Sequence, residues 1–290
     1  MCIFLAPIAN ATVIVDSRGG QNLNVASRVI TLNWGATEAL ISLGVAPVGM
    51  ADNDGYRDWV QWPTLPDGIH NVGTRSEPNI EVIQSLKPDL IILSAAQQEI
   101  AAKLKSIAPI LVFDTFRADH NNGEVIDNEY LEIAKAVGKR EVALQRLQAR
   151  EDKIKAWKAQ LTDKFAGNIP NVSLVHFRDT SHVALYGANS TVEYALNKLG
   201  ISLALPTPTT AWGQVDKPVS ELAKIGSGVL IYIKPFNDEK ALFSSQLWRH
   251  MPFVRQHRFT AIEPCWTFGS ALSIEHIAQA TTKALLTLEN

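Results

Sequence analysis

Lys139–Phe165 reads KREVALQRLQAREDKIKAWKAQLTDKF, and no glycine or proline interrupts it. It is dense in Ala, Leu, Gln, Glu, Lys and Arg, the residues that lose least on entering a helix. Leu144, Leu147, Ile154, Trp157 and Leu161 recur at helical spacing. The stretch predicts one helix of about 40 Å at 1.5 Å of rise per residue. Gly167 and Pro170 end it.

The chain on either side of this helix has a different rhythm. Before it, short apolar runs alternate with amphipathic stretches. Arg28–Leu32, Pro47–Ala51, Leu90–Leu93 and Ile110–Phe113 read as strands. Glu38–Leu43, Asn79–Leu86, Glu99–Ile107 and Glu129–Val137 read as helices. Strand, helix, strand in this order implies right-handed crossovers and a parallel sheet. After Pro170 the alternation restarts. Strands are expected at Ser173–Phe177, His182–Tyr186, Gly228–Ile233 and Phe259–Glu263, and helices at Thr191–Leu199 and Ser273–Leu288.

The expected fold is therefore α/β: two Rossmann-like lobes with central sheets, joined by one long helix, with a ligand cleft between them. The division expected is an N-terminal segment at 1–27, a first lobe at 28–138, a linker helix at 139–167 and a second lobe at 168–290. A length of 290 residues suits two domains of ordinary size. No Gly/Ser-rich linker separates them, and a helical strut permits only small relative motion.

Composition excludes several classes. A hydrophobic fraction of 46% with 19% charged residues fits a folded soluble chain. The net charge is -2 and no basic stripe occurs, which argues against nucleic-acid binding. No run of about 20 apolar residues, the length a membrane-spanning helix needs, follows the start. Met1–Ile8 is apolar and Ala9-Asn10-Ala11 has the small-x-small form of a signal-peptidase site, but a basic leading segment is missing. The start therefore reads as a truncated signal peptide or none. Cys2 and Cys265 leave open a bridge, a lipid on Cys2, or two thiols.

No G-x-S-x-G elbow, P-loop or G-x-G-x-x-G appears. The seven histidines form no H-E-x-x-H or H-x-H pair, so neither a catalytic residue nor a metal site is expected. What stands out is aromatic. Trp34, Trp59, Trp62, Trp212 and Trp266 all follow apolar runs, in stretches that read as connections. One loop Trp is ordinarily packing. Five in corresponding loops of two lobes suggest the walls of a site. Asn71–Asn79 (NVGTRSEPN) adds Arg75, whose planar fork suits two oxygens of an anionic or hydroxamate-type ligand, unless Glu77 pairs with it. Broad apolar walls with one guanidinium fit a bulky, mostly apolar ligand with a few exposed oxygens.

Six stretches carry a resemblance: Tyr56–Val60 (YRDWV), Val72–Asn79 (VGTRSEPN), Tyr186–Ser190 (YGANS), Trp212-Gly213, Leu247–Val254 (LWRHMPFV) and Trp266–Ser273 (WTFGSALS). In this order, across about residues 28–290, the chain resembles the periplasmic hydroxamate-siderophore-binding proteins of ferrichrome type. These serve ABC iron importers and share a helical-backbone fold. The resemblance implies a periplasmic monomer that is no enzyme, holds no cofactor, and binds iron only as a ferric siderophore. It places Arg75 at the hydroxamate oxygens and Trp34, Trp59, Trp212 and Trp266 along the aromatic wall, with Tyr186 in a matched loop. Gln97 and Phe268 stand where the family carries tyrosines. Gln97 keeps an amide donor. The resemblance also implies docking on an ABC permease through one acidic residue per lobe, Glu81 and Glu221, each otherwise an ordinary first-turn Glu. Cobalamin or haem carriers of the same fold are the near alternative. A two-domain α/β enzyme is the distant one, but it would ask for more cysteines.

Overall fold

A computed structural model of the protein describes residues 11–288. The contacts of the chain fall into two units. Of the described residues, the first holds 11–56, then Pro63–Thr115 and Asn128–Gln145; the second holds Arg57–Trp62, Phe116–Asp127 and 146–288. The division follows neither chain order nor helix ends. It falls within a helix at Arg140–Lys164, the long helix expected from Lys139–Phe165.

In the first unit, β1 (Thr12–Asp16) and β2 (Gly19–Leu23) form an antiparallel hairpin. The apolar runs then supply β3 (Val29–Thr31), β4 (Gly49–Met50), β6 (Leu90–Ser94) and β7 (Ile110–Phe113), with a short β5 at His70–Asn71. They form one five-stranded sheet in the order β5-β4-β3-β6-β7, parallel throughout. β6 is buried on both faces, as a continuous apolar run in a parallel sheet should be. Ile91 and Leu93 join one core cluster with Ile30, Ile83 and Val112.

In the second unit, β8 (Val172–Phe177), β9 (His182–Tyr186), β10 (Gln214–Pro218), β11 (Val229–Ile233) and β12 (Phe259–Ile262) make a sheet in the order β10-β9-β8-β11-β12. Here the parallel expectation holds only in part. β8, β11 and β12 are parallel, whereas β9 and β10 run antiparallel. Only a tight turn separates β8 from β9, and a parallel crossover needs a dozen residues or more. Successive residues of β11 serve opposite faces. Val229, Ile231 and Ile233 meet helices Thr191–Leu199 and Ala271–Leu286, while Leu230 and Tyr232 meet Trp248 and Phe253.

Two local readings differ from expectation. The helix expected at Glu129–Val137 runs over Asn122–Ala136. Its opening, Asn121-Asn122-Gly123, reads as loop chemistry; a tertiary hydrogen bond from Asn122 Nδ2 to the Ala211 carbonyl (3.1 Å) holds it. The helix expected from Glu38 starts at Trp34, because the Asn33 carboxamide accepts from the Ala36 amide at 2.8 Å and caps it. Trp34 is therefore a helix residue, not a loop residue. Cys265 lies in the core of the second unit; Cys2 and the candidate signal segment around it lie outside the described residues.

Candidate functional site

The strand order of the first unit fixes where a site can form. Crossovers depart in opposite directions from β3 and β6, so the segments after their carboxyl ends diverge and leave a crevice. Four residues come from segments that follow β3, β4, β5 and β6: Trp34, Asp52, Arg75 and Gln97.

Arg75 sits at the apex of a closed loop. Asn79 donates its amide to the Val72 carbonyl at 2.7 Å, and Thr74 Oγ1 accepts from the Glu77 amide at 2.9 Å. Gly73 turns the chain at φ +96°, where an added Cβ would meet the Glu77 carbonyl oxygen at 2.8 Å. The guanidinium carbon lies 3.8 Å from the centre of the Trp34 ring. Its Nε stands 3.4 Å from Asp52 Oδ2. Glu77, the partner considered from sequence, is not the one chosen. The Arg75 side chain is 44% exposed, and its two terminal nitrogens make no hydrogen bond among the described residues.

Trp34 and Gln97 are placed differently from a ligand-facing reading. Trp34 is only 3% exposed; its ring lies under Arg75 and its Nε1 donates to the Asp52 carbonyl at 3.2 Å. Gln97 Nε2 donates to the carbonyls of Leu32 (2.6 Å) and Arg75 (2.7 Å), while its Oε1 accepts from Ser94 N and Oγ. Its amide hydrogens thus tie the loops after β3 and β5 to the end of β6. In both cases the reason is the same. A polar or aromatic group at a crowded strand end satisfies the backbone around it first.

The second unit carries the aromatic set. Phe268 is its hub. It meets Phe116, Trp212 and Trp266 edge-on at 5.7, 5.4 and 5.5 Å, and Tyr186 at 6.3 Å. Phe116 stacks on Trp212 at 5.0 Å and 23°. Edge-to-face and offset contacts of this kind lock rings against each other. Trp212 remains half exposed. Tyr186 is buried, and its hydroxyl accepts from Thr267 Oγ1 at 3.0 Å. Burial pushes that phenol up to about 12. Tyr186 therefore braces the Trp266–Phe268 loop from beneath instead of offering its hydroxyl outward. Trp59 stands apart from this set, edge-on to His176 at 6.2 Å, as Trp62 is tilted against His276 at 5.5 Å. Burial holds both imidazoles below their ordinary range.

Glu81 is exposed in the first turn of helix Ile80–Ser85 and has no ion-pair partner among the described residues. Glu221 lies in a 3-10 turn at Val219–Ile225, where Lys224 Nζ, 2.6 Å away, lowers its carboxyl below the usual range. No group of three or more His, Cys, Asp or Glu positioned for a metal ion occurs among the described residues, and no described helix is long and apolar enough to cross a membrane.

The sequence reading missed Phe116 and Asp52. Each follows shortly after the carboxyl end of a parallel strand, β7 and β4, the position from which this fold class builds its sites.

A family model described as periplasmic binding protein matches residues 29–264. The iron(3+)-hydroxamate-binding protein FhuD of Escherichia coli (strain K12) is 30% identical over 261 residues, covering 89% of this chain and 87% of that one. The Fe(3+)-citrate-binding protein YfmC of Bacillus subtilis (strain 168) is 30% identical over 267 residues, covering 89% and 80%. Among solved structures, the siderophore binding protein FhuD from Vibrio cholerae with bound Fe3+-Desferal has a TM-score of 0.88 and 38% identity, covering 91% of this chain and 99% of that chain.

Proposed function

The chain belongs to the periplasmic binding protein family, and from that premise we propose that it captures ferric hydroxamate siderophores and hands them to an ABC importer. It is a periplasmic transport protein and not an enzyme.

The observation that carries the ligand assignment is Arg75. Its guanidinium is held on one side by Trp34 and at Nε by Asp52, and its two terminal nitrogens make no hydrogen bond to the protein among the described residues. A fork held in this way suits the paired, electron-rich oxygens of a hydroxamate. In the second unit, the exposed ring of Trp212, backed by Phe116 and Phe268, is apolar area of the kind that suits a chelator's carbon scaffold. Groups already ordered before the ligand arrives reduce the entropy lost on binding. In this reading the chelator supplies every iron ligand, the protein needs no cofactor, and it acts as a monomer. Trp59 and Trp266 add aromatic surface, while Trp34, Gln97 and Tyr186 hold other groups in place. Glu81 and Glu221 meet the permease. Glu81 contributes more to encounter, because Lys224 already offsets the charge of Glu221.

Tryptophan fluorescence tests the proposal. Ferric desferrioxamine is expected to quench it saturably, whereas cobalamin and haemin are not; ferric citrate serves as the carboxylate control. Arg75→Ala should weaken ferric desferrioxamine binding at least about tenfold, equal to 1.4 kcal/mol, with an unchanged melting temperature. Unchanged affinity in Arg75→Ala would overturn the site.

A further inference from the structure

Asp52 is the residue through which the loops of the first unit meet. It follows β4, and its backbone is left-handed at φ 60° and ψ 60°. Outside glycine, that conformation is tolerated mainly by Asn and Asp. Its polar groups reach three segments, the loop of Arg75 twice. The amide donates to the Gly73 carbonyl at 2.8 Å, in the loop that presents Arg75. The carbonyl accepts from Trp34 Nε1 at 3.2 Å, in the helix after β3. Oδ1 accepts from the Gly55 amide at 3.2 Å, closing its own turn. Oδ2 faces Arg75 Nε at 3.4 Å. Gly55 is required here, since a Cβ would fall 2.6 Å from the Trp34 ring and 2.7 Å from the carboxylate.

We propose that Asp52 is a positioning residue for ligand capture, and that its negative charge, not its shape, aims Arg75. The inference rests on the hydroxamate reading above. A free Arg side chain samples many rotamers, and ordering it on binding costs affinity. A carboxylate that met the guanidinium end-on would take both terminal nitrogens. Asp52 stands at Nε instead, and so restrains the side chain while leaving the terminal pair for a ligand. Trp34 restrains the plane of the fork, and Gln97 restrains the backbone carbonyl of Arg75 itself. Of these three restraints, only Asp52 acts through charge on the guanidinium edge. The pair is partly exposed, at 44% for Arg75 and 32% for Asp52, so its loss should barely affect folding.

Asp52→Asn separates charge from shape. Asparagine tolerates the left-handed backbone and keeps an oxygen for the Gly55 amide, but carries no charge. In fluorescence titrations with ferric desferrioxamine, Asp52→Asn is expected to bind about three- to tenfold more weakly than wild type, at the same melting temperature. In an Arg75→Ala background the same change should alter affinity less than twofold, because the residue acts through Arg75. A simple loss of structure would weaken both backgrounds alike. Unchanged or tighter binding by Asp52→Asn, or full additivity with Arg75→Ala, overturns the positioning role while leaving the hydroxamate site standing. Failure of the wild type to bind ferric desferrioxamine overturns both.

Discussion

Arg150, in the second unit, and Arg75, in the first, are set in opposite surroundings. The Arg150 side chain is 3% exposed. Its two terminal nitrogens grip Asp127 at 2.6 and 2.7 Å, Nε and Nη2 reach Glu151 at 3.1 and 2.8 Å, and Nη1 also approaches the Ala271 carbonyl at 3.4 Å. Tyr194 and Lys198 complete the same carboxylates. Arg75 is about fifteen times as exposed, at 44% against 3%, and holds one carboxylate at its edge. A guanidinium surrounded on every donor serves the fold, because buried charge is tolerated only when fully paired. A guanidinium held by one edge has binding capacity left over. Charge alone therefore does not mark a functional arginine; the number of donors still open does.

The sharpest way to break this comparison is Arg150→Met. It leaves the partly buried Asp127 without its cation, while Glu151 keeps Lys198, and should cost about 3–5 kcal/mol of stability in denaturant unfolding. A loss below about 1 kcal/mol would show that the network is incidental. Arg75→Ala, by contrast, should act on affinity and leave the melt alone.

Glu129 sharpens the contrast from the carboxylate side. Its partner is the Thr115 hydroxyl, and burial pushes its carboxyl up to about 7 from 4.5. A carboxyl whose pKa is higher in the folded state contributes stability below 4.5 and loses it as pH rises through 7. Glu129→Gln should therefore be more stable than wild type at pH 8 by about 1–3 kcal/mol, and indistinguishable at pH 4. An equal difference at both values would refute this.

The smallest expected effect concerns His176 and His276, imidazoles held below 6.5 chiefly by burial. A depressed base contributes stability above 6.5 that is lost as pH falls. Between pH 7 and 5, wild type should lose slightly more stability than the His176→Asn, His276→Asn double variant. Parallel pH profiles would remove the histidines from the account.

Much of the scaffold was legible because periodicity is local. Ile110–Phe113, His182–Tyr186 and Thr191–Leu199 lie where their apolar patterns place them. The long helix is legible for the same reason, with one exception. Arg150 occupies a buried position between Ala143 and Ile154, and no local rule foresees a charge there, since only Asp127 and Glu151 make it tolerable. β10 was not legible either. Gln214–Pro218 is polar and carries little strand propensity, and pairing with β9 supplies its order.

The site divides in the same way. The sequence by itself determined the α/β alternation, the long helix, and the kinds of side chain available for capture: indoles and one guanidinium in a glycine-turned loop. Only the tertiary structure decided what each one does. It buried Trp34 beneath Arg75, committed Gln97 to backbone carbonyls, turned Tyr186 inward to Thr267, and brought Phe116 and Asp52 into use. The physical reason is that composition and spacing fix a residue's chemistry, whereas its free valences depend on neighbours that are remote in the chain.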